Sequence, residues 1–167
     1  EALKYPLLGG GSMISNVTVE GSTWEEMPLK LEAGTPHIAG AFGFSEAIKY
    51  LERIGMDNVY THDQELVKYA LKRLTESIGD KFHYYGPNDL SRKIGVIAFN
   101  VEGYNAHEVA AFLDEVANIA IRSGNHCAQP LHRNYNLDST ARASFYIYNT
   151  LQEIDKFVET LRLLIPK

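Results

Sequence analysis

The sequence predicts an α/β protein: an α+β unit in its second half, with a small sheet covered by helices, preceded by two connecting helices and an extended flap. Three observations predict this. Over 167 residues the apolar share is 45% and the charged share 22%, the balance of a folded globular chain. From about residue 36 to residue 78, apolar residues recur at helical spacing. After Gly79 the texture changes to short β-rich runs alternating with amphipathic stretches. The expected divisions are residues 1–35 for the flap, 36–80 for the connecting helices and 81–167 for the small domain.

In "NVTVEGST", Val17 and Val19 alternate with Thr18 and Glu20 ahead of a Gly21-Ser22 turn signal, the pattern of a hairpin or extended flap. Thr35 is placed to cap a helix whose first residue is Pro36, since proline lacks only an N–H that has no partner there. Ile38, Phe42, Ala47, Ile48 and Leu51 give that helix an apolar face, and Gly55 a stop. A second helix is expected from about Asp57 to Ser77, with Val59, Leu66, Ala70, Leu74 and Ile78 facing inward, and Lys68, Lys72 and Arg73 on a solvated face.

"FHYYG" and "GVIAFNV" read as strands, the second apolar enough to be central. Asn105 with Glu108 forms a capping box for a helix through Val116. "NIAIRSG" and "TARASFYIYN" read as the third and fourth strands. Thr150 with Glu153 opens a terminal helix that turns Ile154, Phe157, Val158, Leu161 and Ile165 inward.

The net charge of -5, with Lys and Arg scattered along the chain, gives no basic footprint for nucleic acid. No apolar run approaches the roughly 18 residues that span a bilayer, and "EALKYPLLGGG" lacks the three regions of a signal peptide. The single cysteine excludes an intrachain disulfide and points to a reducing compartment.

That cysteine lies in "RSGNHCAQP". Cationic neighbours such as Arg122 or a protonated His126 would favour the thiolate of Cys127, the form that reacts. The alternative is one more small buried residue, because free cysteine is among the most buried types. Zinc is a weak reading: His126, Cys127 and His132 offer three ligands without a paired element to close a tetrahedral site. His37, His62, His83 and His107 read as surface or hydrogen-bonded histidines. Gly34 and Thr35 stand at a helix N-terminus, which favours an anion such as phosphate. Arg142, between small residues on a strand, suits either a ligand carboxylate or a structural salt bridge.

Together "RSGNHCAQPL", "LEAGTP" at 31–36 and "RASFYIYNT" at 142–150 resemble three segments of the group II cysteine desulfurases, the SufS-like branch of the class V aminotransferase family. The family's cysteine loop often reads R-[TSA]-G-H-H-C-A-x-P-L. The resemblance runs in order over essentially the whole chain. It implies the C-terminal small domain of a fold-type I pyridoxal-phosphate enzyme, with a mostly antiparallel sheet. It also implies an activity, conversion of L-cysteine to L-alanine with the sulfur held as a persulfide on the enzyme. In that reading Cys127 is the nucleophile, Arg142 grips the substrate carboxylate and Arg122 is a second active-site arginine. Asn125 and His126 belong to the active-site loop. Gly34 and Thr35 reach the pyridoxal 5'-phosphate of the partner subunit, which implies a homodimer. No metal is implied. The sulfur would pass to a scaffold or shuttle protein for iron–sulfur cluster assembly in the cytoplasm, and residues 9–27 are the stretch expected to meet it.

Two departures stand out. Asn125 replaces the family's usual first loop histidine, and the serine-x-histidine-lysine setting of the cofactor lysine has no counterpart among these lysines. The chain begins within text resembling the family's "LYGKREAL", so the expectation is a carboxy-terminal portion of a desulfurase, inactive by itself, whether shortened by design, by proteolysis or in its gene. The alternatives are a selenocysteine lyase, a class V aminotransferase, a stand-alone sulfur-relay or binding module, and a catalytically dead structural piece.

Overall fold

The computed structural model describes residues 6–165. The opening "EALKY", where the resemblance to the family text begins, and the last two residues of the 81–167 segment lie outside the described residues. The chain forms two compact units, residues 1–53 and 54–167.

In the first unit, β1 (Ile14–Val17) and β2 (Ser22–Trp24) form the expected antiparallel hairpin, with Ile14 opposite Trp24 and Val17 opposite Ser22. The strand stops at Val17, because the Thr18 N–H donates to the Gly21 carbonyl at 2.8 Å and turns the chain. Val19, read as a strand residue, is fully exposed in that turn.

Helix α1 (Ile38–Ile54) begins two residues later than expected. Its first four-residue backbone bond runs from the Ala41 N–H to the His37 carbonyl, which puts Thr35 too far upstream to cap it. The predicted apolar stripe is present but uncovered in this chain: Ile38 and Phe42 are 69% and 70% exposed, and no α1 residue is buried.

The second unit contains α2 (Met56–Ile78), β3 (Phe82–Tyr85), β4 (Val96–Val101), α3 (Ala106–Ala117), β5 (Arg122–Gly124), α4 (Gln129–Asn134), β6 (Thr140–Ser144) and α5 (Leu151–Arg162). Its sheet runs β3-β4-β6-β5 with every pairing antiparallel, and β4 is central as its composition predicts. Side chains alternate between the two faces of a strand. Ile97, Phe99 and Val101 of β4 and Ala141 and Ala143 of β6 therefore share the face that packs on the helices, and all are buried. Leu66, Val67, Ala70 and Leu74 of α2, Val109 and Leu113 of α3, and Ile154, Phe157, Val158 and Leu161 of α5 close the core from the other side. Each large side chain buried there contributes roughly 1.5–3 kcal/mol.

Both capping boxes are reciprocal. Asn105 Oδ1 accepts from the His107 and Glu108 N–H groups, while Glu108 accepts from the Asn105 N–H at 2.8 Å. Thr150 and Glu153 repeat the arrangement on α5.

Three further expectations are corrected. The third strand is only Arg122–Gly124, because Asn118 adopts the left-handed conformation (φ 53°, ψ 43°) that ends α3 and the next residues are not paired in the sheet. The fourth stops at Ser144: the Tyr146 N–H donates to Asn149 Oδ1 at 2.9 Å, a turn that leads into the Thr150 cap. Arg73 is not simply solvated. Its Nε donates to Asp155 at 2.8 Å, and the Tyr69 hydroxyl donates to the same carboxylate, joining α2 to α5. The guanidinium first, then the tyrosine hydroxyl, hold the Asp155 carboxyl below its usual range.

The opposite face of the sheet carries Tyr85, Ala98, Asn100, Thr140 and Arg142, with Arg122 at the edge. The short α4, which the sequence reading missed, follows the cysteine loop beside this face.

Candidate active site

The β5–β6 register sets Arg122 directly opposite Arg142. Like charges in directly opposed strand positions destabilise a sheet. Here neither arginine has compensation, since no ion pair among the described residues includes either one. The Nε of Arg142 is buried without a hydrogen-bond partner. Among the described residues Arg142 therefore forms no structural salt bridge, and the two arginines hold opposed strand positions on the open face.

The thiol is brought to Arg122 by a tight turn. The Ala128 N–H donates to the Asn125 carbonyl at 2.8 Å. The two residues between, His126 and Cys127, have φ of 53° and 58°, the sign pattern of a type I′ turn. Residues with a Cβ seldom occupy that region, and each costs on the order of 1–3 kcal/mol. Preceding them, Gly124 (φ 114°) reverses the chain at the end of β5. Cys127 is exposed, which corrects the reading of it as a small buried residue. Arg122 Nη2 donates toward Cys127 Sγ at 3.8 Å. Asn125 contributes its backbone carbonyl to the turn.

His126 is tied back by a chain of hydrogen bonds that the sequence reading did not find. His132 Nδ1 lies 3.1 Å from the Ala128 carbonyl, and His132 Nε2 lies 3.1 Å from Thr140 Oγ1. Thr140 Oγ1 also meets His126 Nε2 at 3.0 Å. A carbonyl only accepts, so His132 Nδ1 is a donor, and in the neutral ring its Nε2 accepts from the Thr140 hydroxyl. That hydroxyl has one proton to give. It must therefore accept from His126, which leaves His126 protonated on Nε2 with Nδ1 as an acceptor. That Nδ1 is buried and unpartnered. Burial first, then the nearby Arg142 charge, hold the His126 ring below the usual histidine value. Both rings turn Nε2 to Thr140. Among the described residues no three His, Cys, Asp or Glu side chains assemble as a metal site.

A cavity of about 620 Å³ opens on this face, walled by Tyr85, Leu131, Tyr135 and Leu137, with Arg92, His126, His132 and Arg142 as its basic residues. Cys127 stands outside it, so Arg142 links the two features, lining the cavity and facing the arginine beside the thiol. The other histidines are ordinary: His62 bonds the Asn149 carbonyl, and His107 Nδ1 meets Ser123 Oγ at 2.8 Å.

Gly34 and Thr35 belong to the first unit. Gly34 (φ 94°) donates its N–H to the Gly11 carbonyl at 2.9 Å, so it shapes a turn and has no amide free for an anion. A Cβ on Gly10 would come within 2.8 Å of the Gly34 nitrogen, so this close approach requires glycine. Thr35 is exposed, and its hydroxyl makes no hydrogen bond among the described residues. A free hydroxyl just ahead of the positive end of a 17-residue helix fits a phosphate group.

A model of the family described as aminotransferase class-V matches residues 1–157. The chain belongs to that family. It is 47% identical over 156 residues to a cysteine desulfurase of Haloferax volcanii, covering 93% of this chain and 36% of that protein. It is 46% identical over 157 residues to a probable cysteine desulfurase of Staphylococcus aureus, covering 94% and 37%. Among solved structures, the apo cysteine desulfurase of Thermococcus onnurineus NA1 superposes with a TM-score of 0.87 at 40% identity, covering 95% of this chain and 39% of that one. Cysteine desulfurase CsdA of Escherichia coli, in an S-sulfonic acid form, gives 0.84 at 33% identity, with the same coverage. The expected fold class is thus the one observed, a small antiparallel sheet with helices as in the desulfurases. The chain spans under two fifths of the length of these relatives.

Proposed function

We propose that this chain is the carboxy-terminal portion of a group II cysteine desulfurase. The observation that carries the reading is the pairing of Arg122 with Arg142, two uncompensated cations across one strand pair, beside an exposed thiol held in a costly turn. Fixed positive charge with no internal partner suits an anionic ligand, and an amino-acid carboxylate meets a guanidinium by two parallel hydrogen bonds. The similarity to proteins named cysteine desulfurase supplies the substrate, L-cysteine.

In this reading Arg142 binds the carboxylate, and Arg122 donates toward the Cys127 sulfur, the nucleophile. The Cys127 sulfur attacks the sulfur of L-cysteine. The new S–S bond forms as the substrate's C–S bond breaks, its electron pair stays on the three-carbon fragment, and that carbon takes a proton to give L-alanine. Cys127 is left as a persulfide. Pyridoxal 5'-phosphate, when bound, supplies the electron sink that makes this bond breakable. Thr35 and the start of α1 would hold its phosphate from the neighbouring subunit of a homodimer, with Gly34 fixing the turn. The persulfide sulfur then goes to an acceptor protein for iron–sulfur cluster assembly, in the reducing cytoplasm.

The 167 residues alone are expected to yield no alanine from cysteine, even with pyridoxal phosphate added. In the longer enzyme, Cys127→Ser abolishes alanine formation. Amino transfer that survives this substitution would favour an aminotransferase, and Cys127-dependent turnover by the 167 residues alone would overturn the reading.

A further inference from the structure

A second cavity in the 54–167 unit, of about 460 Å³, shares no lining residue with the first. Tyr60, Phe145, Tyr146 and Tyr148 line it, and Asp63 is its single charged residue. Asp63 is an acid on the core-facing stripe of α2, among Val59, Leu66 and Val67. It is only 9% exposed, its Oδ1 is buried without a hydrogen bond, and among the described residues it forms no ion pair.

Carboxylates are seldom this buried unless paired, and a buried polar group without a partner calls for an explanation. The surroundings are built to keep it there. A Cβ on Gly95 would fall 2.3 Å from the Phe145 carbonyl oxygen and 3.3 Å from Asp63 Cγ, so only glycine leaves room. The walls are tied in place, with the Tyr60 hydroxyl donating to the Ser91 carbonyl at 3.0 Å and the Phe145 N–H to the Gly95 carbonyl at 2.6 Å. One carboxylate among aromatic rings is a poor metal site, since hard cations want several oxygen ligands. It suits an organic cation with an apolar stem, which pairs with the acid and lies along the rings. Guanidinium is the better match, being weakly hydrated and able to stack on aromatic faces while donating to a carboxylate.

We propose that this cavity receives an arginine side chain from another polypeptide segment, its guanidinium on Asp63 and its methylenes against the tyrosines. The inference does not rest on the proposed thiol and arginine chemistry, although Phe145, Tyr146 and Tyr148 lie in the 142–150 segment that carries part of the family resemblance. The probe is arginine blocked at both ends, N-acetyl-arginine methylamide, titrated into the 167-residue chain while amide NMR signals are followed. The Gly95 and Phe145 amides are expected to shift and saturate in the millimolar range, and the neutral isostere, blocked citrulline, to leave them unmoved. Asp63→Asn, which keeps the shape and removes the charge, loses the response. Tyr148→Leu lies on an exposed rim and leaves the fold intact; it should weaken binding roughly two- to fivefold, the worth of an exposed cation–π contact. Equal shifts with citrulline, no response at tens of millimolar, or unchanged binding in both variants would overturn the proposal. Blocked lysine binding as tightly as blocked arginine would overturn the choice of guanidinium.

Discussion

Thr140→Val tests the hydrogen-bond chain behind the cysteine loop. Valine keeps the threonine shape and removes the one hydroxyl that joins His126 to His132, at a residue only 2% exposed. His132 Nε2 is then a buried acceptor with nothing to accept from, which costs about 1–3 kcal/mol. His126 Nε2–H loses its acceptor at a partly exposed ring, at the low end of the same range. The sum, about 2–4 kcal/mol, corresponds to a fall in melting temperature of roughly 5–15 °C for a chain of this size. Urea unfolding followed by circular dichroism measures the loss, with Thr140→Ser as a control that keeps the hydroxyl. Nitrogen NMR of the imidazoles reads the tautomers directly, with a proton on Nδ1 of His132 and on Nε2 of His126 in the unaltered chain. Thr140→Val within about 0.5 kcal/mol of the parent, or His132 protonated on Nε2, would refute the assigned directions.

Two further outcomes follow from the same site. Arg122 and Arg142 should draw anions to the thiol, so Cys127 should favour iodoacetate over neutral iodoacetamide. Arg122→Gln should reduce that preference about fivefold, the effect of roughly 1 kcal/mol from one nearby charge in water; an unchanged ratio contradicts the shared anion site. Because the His126 ring is held below its ordinary value of about 6.5, its contribution to stability is complete above that pH. The contribution is lost as pH falls through the lowered value, since the unfolded chain takes up the proton first. Denaturation midpoints measured across mildly acidic pH should fall more steeply for the parent than for His126→Gln, and parallel curves would count against it.

Much of this arrangement was legible because it is local. Capping boxes are read from residues three apart, and both Asn105–Glu108 and Thr150–Glu153 are reciprocal in the structure. The centrality of β4 follows from its continuous apolar run. Cys127, Arg122 and Arg142 each stand out in the sequence as candidates, but what relates the two arginines does not. Nineteen residues, α4 among them, lie between the two arginines along the chain, and only the β5–β6 register sets them opposite each other. Thr140 passed as an ordinary strand residue, and His132 as a spare metal ligand, because a hydrogen-bond chain between elements has no sequence period. The overlong strands failed for another local reason: Asn118 and Asn149 impose turns that β-rich composition does not reveal. Arg73 was misread because its partner, Asp155, lies on a helix far along the chain.

The central proposal is that Cys127 takes up the sulfur of L-cysteine, and the most direct measurement is mass spectrometry of the longer enzyme proposed to contain this chain, after brief exposure to L-cysteine with pyridoxal phosphate. The account predicts one added sulfur atom on the peptide that carries Cys127, removed by a reducing agent and absent from Arg142→Ala. Alanine formed at the normal rate with no sulfur on that peptide would contradict it.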